Sequence, residues 1–283
     1  MPFPGLRQNE DLRSLFFMAC CTFLFIIPYL ITISGFSAFI WVLAASFFCF
    51  VTSIINHNHQ HLGIAKNDSI NKGISFYLSL LRGHSAYSIR LAHNANHHRY
   101  NCREEDWIRP SLAGSGAGIV RLFRFVYKSS QEMTRRKNIE EGSFYKAKDK
   151  RQLKLERWGV RILAVILLLI NWQVTLLFAF IPWVIGVFSL IAINLMQHDQ
   201  CDFTSRYNHS RNFVSRFGNW FLLNNGYHTV HHLYPKSHWS DLPELHREEV
   251  EPHIKPELDE PSLLRFLIKN YGFGPTRILA IEH

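Results

Sequence analysis

Two long apolar blocks dominate the pattern of hydrophobic and polar positions along the chain. Residues 14–56 contain no Asp, Glu, Lys or Arg, and the same holds for residues 162–197. A transmembrane helix needs about 20 apolar residues to cross roughly 30 Å of hydrocarbon. Each block is therefore long enough for two spans joined by a tight turn, with the backbone polar groups satisfied inside helices. The pattern predicts two helical hairpins.

The four predicted spans cover about residues 15–33, 36–55, 153–170 and 174–196. Ser34 and Gly35 form the turn of the first hairpin, and residues 171–173 form the turn of the second. The third span is the most polar, so Arg157 and Arg161 must extend their side chains to the interface. The fold class that follows is an all-α integral membrane protein with two transmembrane helical hairpins, counted as a single domain over residues 1–283.

The distribution of charge predicts the orientation. Neither outer turn carries Lys or Arg, so all 31 basic residues fall on the other side of the membrane, which the positive-inside rule makes cytoplasmic. Residues 57–152 and 197–283 are expected to form a cytoplasmic helical cap. The net charge of +9 belongs to this orientation, so nucleic acid is not expected as a partner. The five cysteines form no CxxC pair, which argues against a disulfide framework or an iron–sulfur cluster.

Four polar tracts lie at the cytoplasmic ends of the predicted spans. In His57-Asn-His-Gln-His61 the outer histidines are four residues apart and share one helical face. The tract His93-Asn-Ala-Asn-His97-His98 repeats this spacing and adds a histidine about 100° further round the helix, which can turn toward a second ion. The tract His228-Thr-Val-His231-His232 does the same with a spacing of three. Between them, Asn194-Leu-Met-Gln-His198 offers an amide and an imidazole on one face.

These tracts predict a dimetal site in the cap. A structural zinc takes four ligands and a catalytic zinc usually three, so the nine imidazoles of the tracts other than that of His59 fit two ions better than one. Nitrogen ligands admit iron, copper, nickel or zinc. Because the tracts face the membrane interface, oxidation of unactivated C–H bonds is the expected chemistry. The other histidines are expected to be ordinary surface or core residues, namely His59, His84, His209, His246, His253 and His283.

The tracts resemble those of the membrane fatty acid desaturase and hydroxylase superfamily. The setting of the last one, Asn225-Gly-Tyr-His228-Thr-Val-His231-His232-Leu-Tyr-Pro235, is similar to the bacterial branch in particular. The resemblance implies a non-haem diiron site that uses O2 and two external electrons to place a double bond in a long fatty acyl chain. The metal ligands it implies are His57, His61, His93, His97, His98, His198, His228, His231 and His232, with Asn194 binding through water.

One departure keeps an alternative open. Many acyl desaturases have two residues between the first two histidines of the middle tract, whereas three residues separate His93 from His97. This spacing also resembles alkane hydroxylases. A diiron hydroxylase or ketolase that oxidises an acyl, alkyl or carotenoid chain is therefore the alternative. No catalytic residue beyond the metal ligands is expected.

Partners follow from the resemblance. The chain has no haem-binding HPGG motif, so the electrons are expected from a separate protein such as a ferredoxin or a b-type cytochrome. The substrate is expected to be a membrane lipid or an acyl group linked to CoA or an acyl carrier protein. The expected location is the bacterial cytoplasmic (inner) membrane. The basic stretch 121–157 is expected to lie on anionic lipid, or alternatively to attract acidic proteins.

Carboxylates near the histidine tracts are expected to balance the charge of the metal ions. Neutral imidazoles leave the charge of two ferrous ions largely uncompensated, so nearby carboxylates become important. The candidates are Asp106, Asp199, Asp202 and Asp241. Alternatively, Asp106 or Arg109 holds a substrate head group.

Near the C-terminus, Ser262 is expected to cap a helix of residues 263–270. A stripe of residues on that helix is expected to close the cap, formed by Leu264, Leu267 and Ile268.

Overall fold

Helices make up most of the computed structural model, which describes residues 4–272. The α-helices of six or more residues in this range are α1 (Asp11–Ile26), α2 (Gly35–His61), α3 (Asp68–Arg82), α4 (Gly118–Phe144), α5 (Ala147–Thr175), α6 (Ile181–His198), α7 (Arg216–Phe221), α8 (His228–Leu233) and α9 (Leu263–Tyr271). Shorter α-helical turns are His98–Tyr100 and Leu242–Leu245. The π-helical segments are Arg90–His97, Leu176–Phe180 and His246–Val250. The 3-10 turns are Ile27–Tyr29, Pro110–Ala113, Trp239–Asp241 and Pro256–Leu258.

The described chain divides into two compact units, residues 4–90 with 145–190 and residues 91–144 with 191–272. The end of the predicted cap, residues 273–283 with His283, lies outside the described residues. Three helical stretches of the described part are long and apolar enough to cross a membrane, namely Asp11–Tyr29, Gly35–His61 and Ala147–His198.

The first hairpin lies in the first unit and follows the apolar pattern. Helix α2 begins at Gly35, whose φ of +57° suits a residue without a Cβ, and this is the predicted turn. The indole N–H of Trp41 donates to the carbonyl of Leu24 at 2.8 Å, which fastens α2 to α1. Helix α2 continues past the predicted end of the span to His61. The first histidine tract is therefore the last turn of a membrane-length helix.

The third membrane-length stretch is interrupted at Asn171, whose φ and ψ are −161° and 98°. Leu163 of α5 packs against a buried cluster that contains Ala179 and Trp183. A straight helix would separate Leu163 from Ala179 by about 24 Å. The chain must therefore turn back near Asn171, which is where the sequence predicts a turn.

Helices α3 and α5 approach each other closely within the first unit. A Cβ at Gly159 of α5 would lie 2.5 Å from the ring of Phe76 in α3, so a larger residue would push the two helices apart. A buried carboxyl group joins α5 to the loop that follows α3. Glu156 of α5, which is fully buried, accepts hydrogen bonds from the Ser85 hydroxyl at 2.6 Å and from the backbone N–H of Tyr87 at 2.9 Å. This loop leads directly to the second histidine tract.

In the second unit, strands β1 (Asn212–Phe213) and β2 (Asp259–Glu260) pair in parallel, with Asn212 opposite Asp259. Ser262 accepts from the N–H of Arg265 at 3.3 Å and caps α9, which ends one residue beyond the predicted end. The expected apolar stripe is wrong, because Leu264 and Ile268 are 65% and 67% exposed. The buried face of α9 is set instead by Phe266, whose ring packs on Phe213 at 5.5 Å.

Candidate metal centre

Four histidines of the second unit converge on one point. His97, His198, His228 and His232 each offer one nitrogen, and these four nitrogens all lie within 4.8 Å of one another. His97 ends the π-helical segment, His198 ends α6, and the other two lie on α8. We call these residues the four-histidine set.

Three further histidines of the same unit form a second group. The Nε2 atom of His98 lies 3.0 Å from Nε2 of His93 and 3.1 Å from Nε2 of His231. We call these residues the three-histidine set. All seven histidines are buried or half-buried.

The third tract is divided between the two sets. On α8, His228 and His232 are four residues apart and contribute to the same set, with their Nε2 atoms 3.2 Å apart. His231 belongs to the other set. The sequence expectation paired His228 with His231 and assigned His232 to the second ion. The structure differs because residues four apart on an α-helix are offset by about 40°, against about 60° for residues three apart.

The middle tract is divided in the same way, for a different reason. His93 lies with His98, five residues away, while His97 joins the four-histidine set. The expectation had placed His93 and His97 on one ion. Residues 90–97 form a π-helical segment, in which residues five apart close each turn. The wider turn therefore brings His93 to His98.

His57 and His61 lie in the first unit, on the last turn of α2. Their rings are 5.1 Å apart between centroids, and both offer a nitrogen to the same side. His59 is turned elsewhere, with Nε2 3.0 Å from both the carbonyl of Asn71 and the hydroxyl of Ser75. Its Nδ1 accepts from the N–H of Ile64 at 3.3 Å. Both ring nitrogens of His59 are therefore used in structural bonds, in agreement with its expected role.

Hydrogen bonds determine which nitrogen two of the ligand candidates, His97 and His198, present to the site. Nδ1–H of His97 donates to Asp106 at 2.7 Å, and both side chains are fully buried. Nδ1–H of His198 donates to the backbone carbonyl of His209 at 3.1 Å. Each bond leaves a lone pair on Nε2, which is how ligating imidazoles are commonly oriented.

The resulting arrangement fits a bound cation. The Nε2 lone pair of His198 lies 2.8 Å from Nε2 of His228, which itself lies close to Nε2 of His232. Imidazole nitrogens gathered this closely in a buried site form the kind of nitrogen ligand set that a divalent cation takes. Burial, and then the neighbouring histidines, hold the pKa of His232 well below its usual value of 6.5. His232 is therefore neutral at pH 7, the state that a metal requires.

Asn194 of α6 lies beside the four-histidine set. Its Nδ2 is 3.2 Å from Nε2 of His97. Its Oδ1 is buried and has no hydrogen-bond partner among the residues that the structure describes. A buried carbonyl oxygen without a partner is costly, and this atom is free to accept from a water molecule at the site.

The four candidate carboxylates differ in what they contact. Burial raises the pKa of Asp106, but the attraction and hydrogen bond of His97 and two backbone N–H groups outweigh it, so the pKa is lowered overall. Asp106 is thus an ionised carboxylate held against a candidate ligand. Because Asp106 is fully buried, it does not hold a substrate head group, and that alternative stays a prediction for Arg109 alone. Asp202 accepts from Thr204, and Asp241 accepts from Ser240.

Asp199 binds residues that are not candidate metal ligands. The guanidinium of Arg121 donates to both of its oxygens at 2.8 Å, and the Tyr271 hydroxyl donates at 2.6 Å. Sequence reasoning missed these two residues, and it also missed the carbonyl of His209. No local signal could have identified them, because Arg121 is 78 residues from Asp199 and Tyr271 is 72 residues from it.

A largely helical chain with three membrane-length stretches and two buried histidine sets has the features of a membrane protein with a candidate metal centre. The model of the fatty acid desaturase family matches residues 14–260, and the chain belongs to this family of membrane oxidoreductases, which is known for using two iron ions. None of the curated proteins matches the chain significantly.

Proposed function

We propose that the protein is an O2-dependent, non-haem diiron desaturase that introduces a double bond into a long fatty acyl chain at the membrane. The division of adjacent histidines carries this proposal. His97 and His98 belong to different sets, and so do His231 and His232. Two short segments thereby offer ligands to two ions at once, an arrangement that a single-metal site does not need. Family membership supplies the reaction class.

The proposed ligands are those expected from the sequence. They are His57, His61, His93, His97, His98, His198, His228, His231 and His232, with Asn194 acting through water. Bound there, two ferrous ions would supply the oxidising power of O2 to an unactivated methylene.

The protein's own residues prepare that site. Asp106 accepts the Nδ1 proton of His97, so Nε2 of His97 carries the lone pair that a metal would use. Asp106 also adds one negative charge beside the ligands. The carbonyl of His209 does the same for His198 without adding charge. Burial of the sets keeps bulk water from the reacting carbon.

The membrane arrangement is proposed as four spans with the histidine sets on the cytoplasmic side. The interruption at Asn171 supports a second hairpin within residues 147–198. The sequence around His228 supports a bacterial enzyme of the cytoplasmic membrane. A separate ferredoxin or b-type cytochrome is proposed as the electron donor.

Hydroxylation or ketolation of an acyl, alkyl or carotenoid chain is the second candidate. The observation that favours it is the three-residue spacing between His93 and His97. Both reactions remove a hydrogen from a methylene. Loss of a second hydrogen from the adjacent carbon gives an alkene, whereas transfer of oxygen gives an alcohol.

The test is lipid mass spectrometry on cells that express the wild type, His231→Ala or His253→Ala, with iron measured in each purified protein. A new acyl species lighter by two hydrogens is expected with the wild type, and one heavier by an oxygen would establish the second candidate. His231→Ala should abolish the product and lower iron content. His253 is exposed and stacks on Tyr207, so its loss should change neither. Full activity in His231→Ala would refute the ligand assignment.

A further inference from the structure

Three members of the four-histidine set come from two helix ends that are distant in sequence. His198 is the last residue of α6, whereas His228 and His232 lie on α8, which begins 30 residues later. A metal site needs its ligands held within about 0.5 Å of their productive positions. The end of α6 and the start of α8 must therefore be held together by direct contacts.

Residues 209–212, which we call the clamp, bridge these two helix ends. The clamp lies in the second unit, and all four of its residues are buried. The carbonyl of His209 accepts the Nδ1–H of His198 at 3.1 Å. The next carbonyl, that of Ser210, accepts from the hydroxyl of Thr229, the second residue of α8, at 3.1 Å. Two consecutive carbonyls of the clamp thus each bind a side chain at one of the helix ends.

Arg211 of the clamp closes the end of α6. Its backbone N–H donates to the carbonyl of Gln197 at 2.6 Å. Its Nη1 donates to the carbonyls of Met196 and Asp199 at 2.9 and 3.2 Å. The last carbonyls of a helix have no partner within it, and a positive charge is favourable at this end. Within the described chain, every hydrogen bond of this buried guanidinium goes to these backbone carbonyls, and its flat face lies 4.5 Å from the ring centre of Phe266.

Asn212 does the equivalent for the start of α8. Its Oδ1 accepts from the backbone N–H of Thr229 at 2.9 Å. The first N–H groups of a helix have no partner within it, and the residue just before the helix often accepts from one of them. Tyr227, which stands at that position, makes no such side-chain bond. The carboxylate of Asp259 accepts from Nδ2 of Asn212 at 2.8 Å, so the amide is oriented with its oxygen toward α8.

We infer that Arg211 and Asn212 are positioning residues for the ions that the histidine sets bind. Arg211 fixes the end of α6, and Asn212 fixes the start of α8. Because the two residues are adjacent in the chain, a single peptide unit links the two helix ends. The inference rests on the proposed function, since it takes His198 and His228 as ligands of an iron ion.

The two residues differ in which ions they should affect. Helix α6 carries His198, a member of the four-histidine set alone. Helix α8 carries members of both sets, since His231 belongs to the three-histidine set. Loss of the Arg211 side chain should therefore weaken the binding of one ion, and loss of the Asn212 side chain should weaken the binding of both.

The test measures how fast iron leaves the protein. Full-length protein in detergent, loaded with two ferrous ions under anaerobic conditions, is mixed with an excess of a ferrous chelator, and the coloured complex is followed over time. Arg211→Met should release one ion at least about tenfold faster than the wild type and the other ion at the wild-type rate. Asn212→Ala should release both ions faster. Arg211→Lys should restore slow release, because an ammonium keeps the charge and can donate to the same carbonyls.

A double variant identifies the histidine through which Arg211 acts. His198→Gln should leave one slowly released ion. Adding Arg211→Met to it should not change the release rate of that ion, because the ligand that Arg211 positions is already lost. Faster release of the remaining ion from the double variant overturns the inference, since Arg211 would then act on the stability of the whole fold.

Two control variants make the same changes away from the ligands. Nη1 of Arg124 donates to the carbonyls of Ala113 and Ser115 at 3.0 and 2.7 Å, around the end of a 3-10 turn that carries no ligand candidate. Oδ1 of Asn208 accepts from the backbone N–H of Lys255 at 2.8 Å. Arg124→Met and Asn208→Ala should release iron as the wild type does. If a clamp variant and its control accelerate release equally, the inference is overturned.

The outcomes separate this inference from the proposed function. If Arg211→Met does not fold, Asn212→Ala carries the test, and wild-type release of both ions from it overturns the inference. If the wild type desaturates lipid and the clamp variants release iron as it does, the inference fails while the proposed function stands. If the clamp variants release iron as expected but the wild type oxidises no lipid, the proposed function fails and the positioning role stands.

Discussion

Asp106 and Asp199 are both buried, and each lies close in sequence to a histidine of the four-histidine set, yet they serve different purposes. Asp199 directly follows His198 but binds Arg121 and Tyr271. Asp106 lies nine residues from His97 and binds its imidazole. Sequence proximity to a ligand therefore does not identify the carboxylate that acts on it.

The difference lies in where each negative charge is balanced. The charge of Asp199 is matched by a guanidinium on α4, so that ion pair ties α4 to the end of α6. The charge of Asp106 is held by the imidazole of His97 and by two backbone N–H groups. The negative charge of Asp106 thus lies against a candidate metal ligand, whereas that of Asp199 lies against a guanidinium.

The largest expected effect is on stability, from Asp199→Ala. Removal of this carboxylate leaves the guanidinium of Arg121 buried without its ionic partner, which costs about 3–5 kcal/mol. Thermal unfolding in detergent should show a large fall in melting temperature. Asp241→Ala, at an exposed carboxylate, is the control and should unfold like the wild type. Equal stability of Asp199→Ala and the control would contradict the structural role of Asp199.

A smaller effect, specific to the metal, is expected from Asp106→Asn. The amide can still accept a hydrogen bond from His97 but carries no charge, so metal affinity should fall about 10–100-fold. Metal retained during titration with a chelator measures this change. The melting temperature of the metal-free protein should change less than in Asp199→Ala. If metal retention were unchanged, Asp106 would be a purely structural partner.

The smallest expected effect is on the pH dependence of stability. It distinguishes the contribution of Asp106 from that of the imidazoles. The pKa of His232 is lowered in the folded state, so its contribution to stability is present above the unfolded value of 6.5 and is lost as pH falls below it. One such histidine changes the free energy of unfolding by at most about 1.4 kcal/mol per pH unit. The pKa of Asp106 is also lowered, so its contribution is lost only below about pH 4.

Melting of the metal-free protein between pH 5 and 7.5 checks this assignment. The wild type and Asp106→Asn should lose stability with parallel slopes as the pH falls, because the carboxylate stays ionised throughout the range. His232→Gln should have a shallower slope. A slope that changed only in Asp106→Asn would assign the acid sensitivity to the carboxylate instead.

The sequence predicts the first hairpin well because its signals are local. A charge-free block of this length, a turn at Gly35 and histidines four apart at the end of α2 need no tertiary information. The turn near Asn171 and the cap of α9 at Ser262 are local signals of the same kind.

The partition of the histidines is different, because it depends on backbone geometry. Nothing in the amino-acid sequence of the middle tract distinguishes a π-helical segment from an α-helix. The sequence therefore predicts His97 as the partner of His93, whereas the structure pairs it with His98. The role of Asp199 depends on Arg121, which only the folded chain brings near. The exposure of Leu264 and Ile268 on α9 could not be predicted for the same reason. The tertiary contact of Phe266 determines which face of this helix is buried.

The divided pairs His97-His98 and His231-His232 also act as covalent spacers. Consecutive Cα atoms stay about 3.8 Å apart whatever the surrounding helices do, so each peptide bond carries a displacement of one set directly into the other. Two such spacers, on separate segments, limit how far the two sets can move apart. When the surrounding helices loosen, the two sets can move apart only as far as the side chains on these two links can turn.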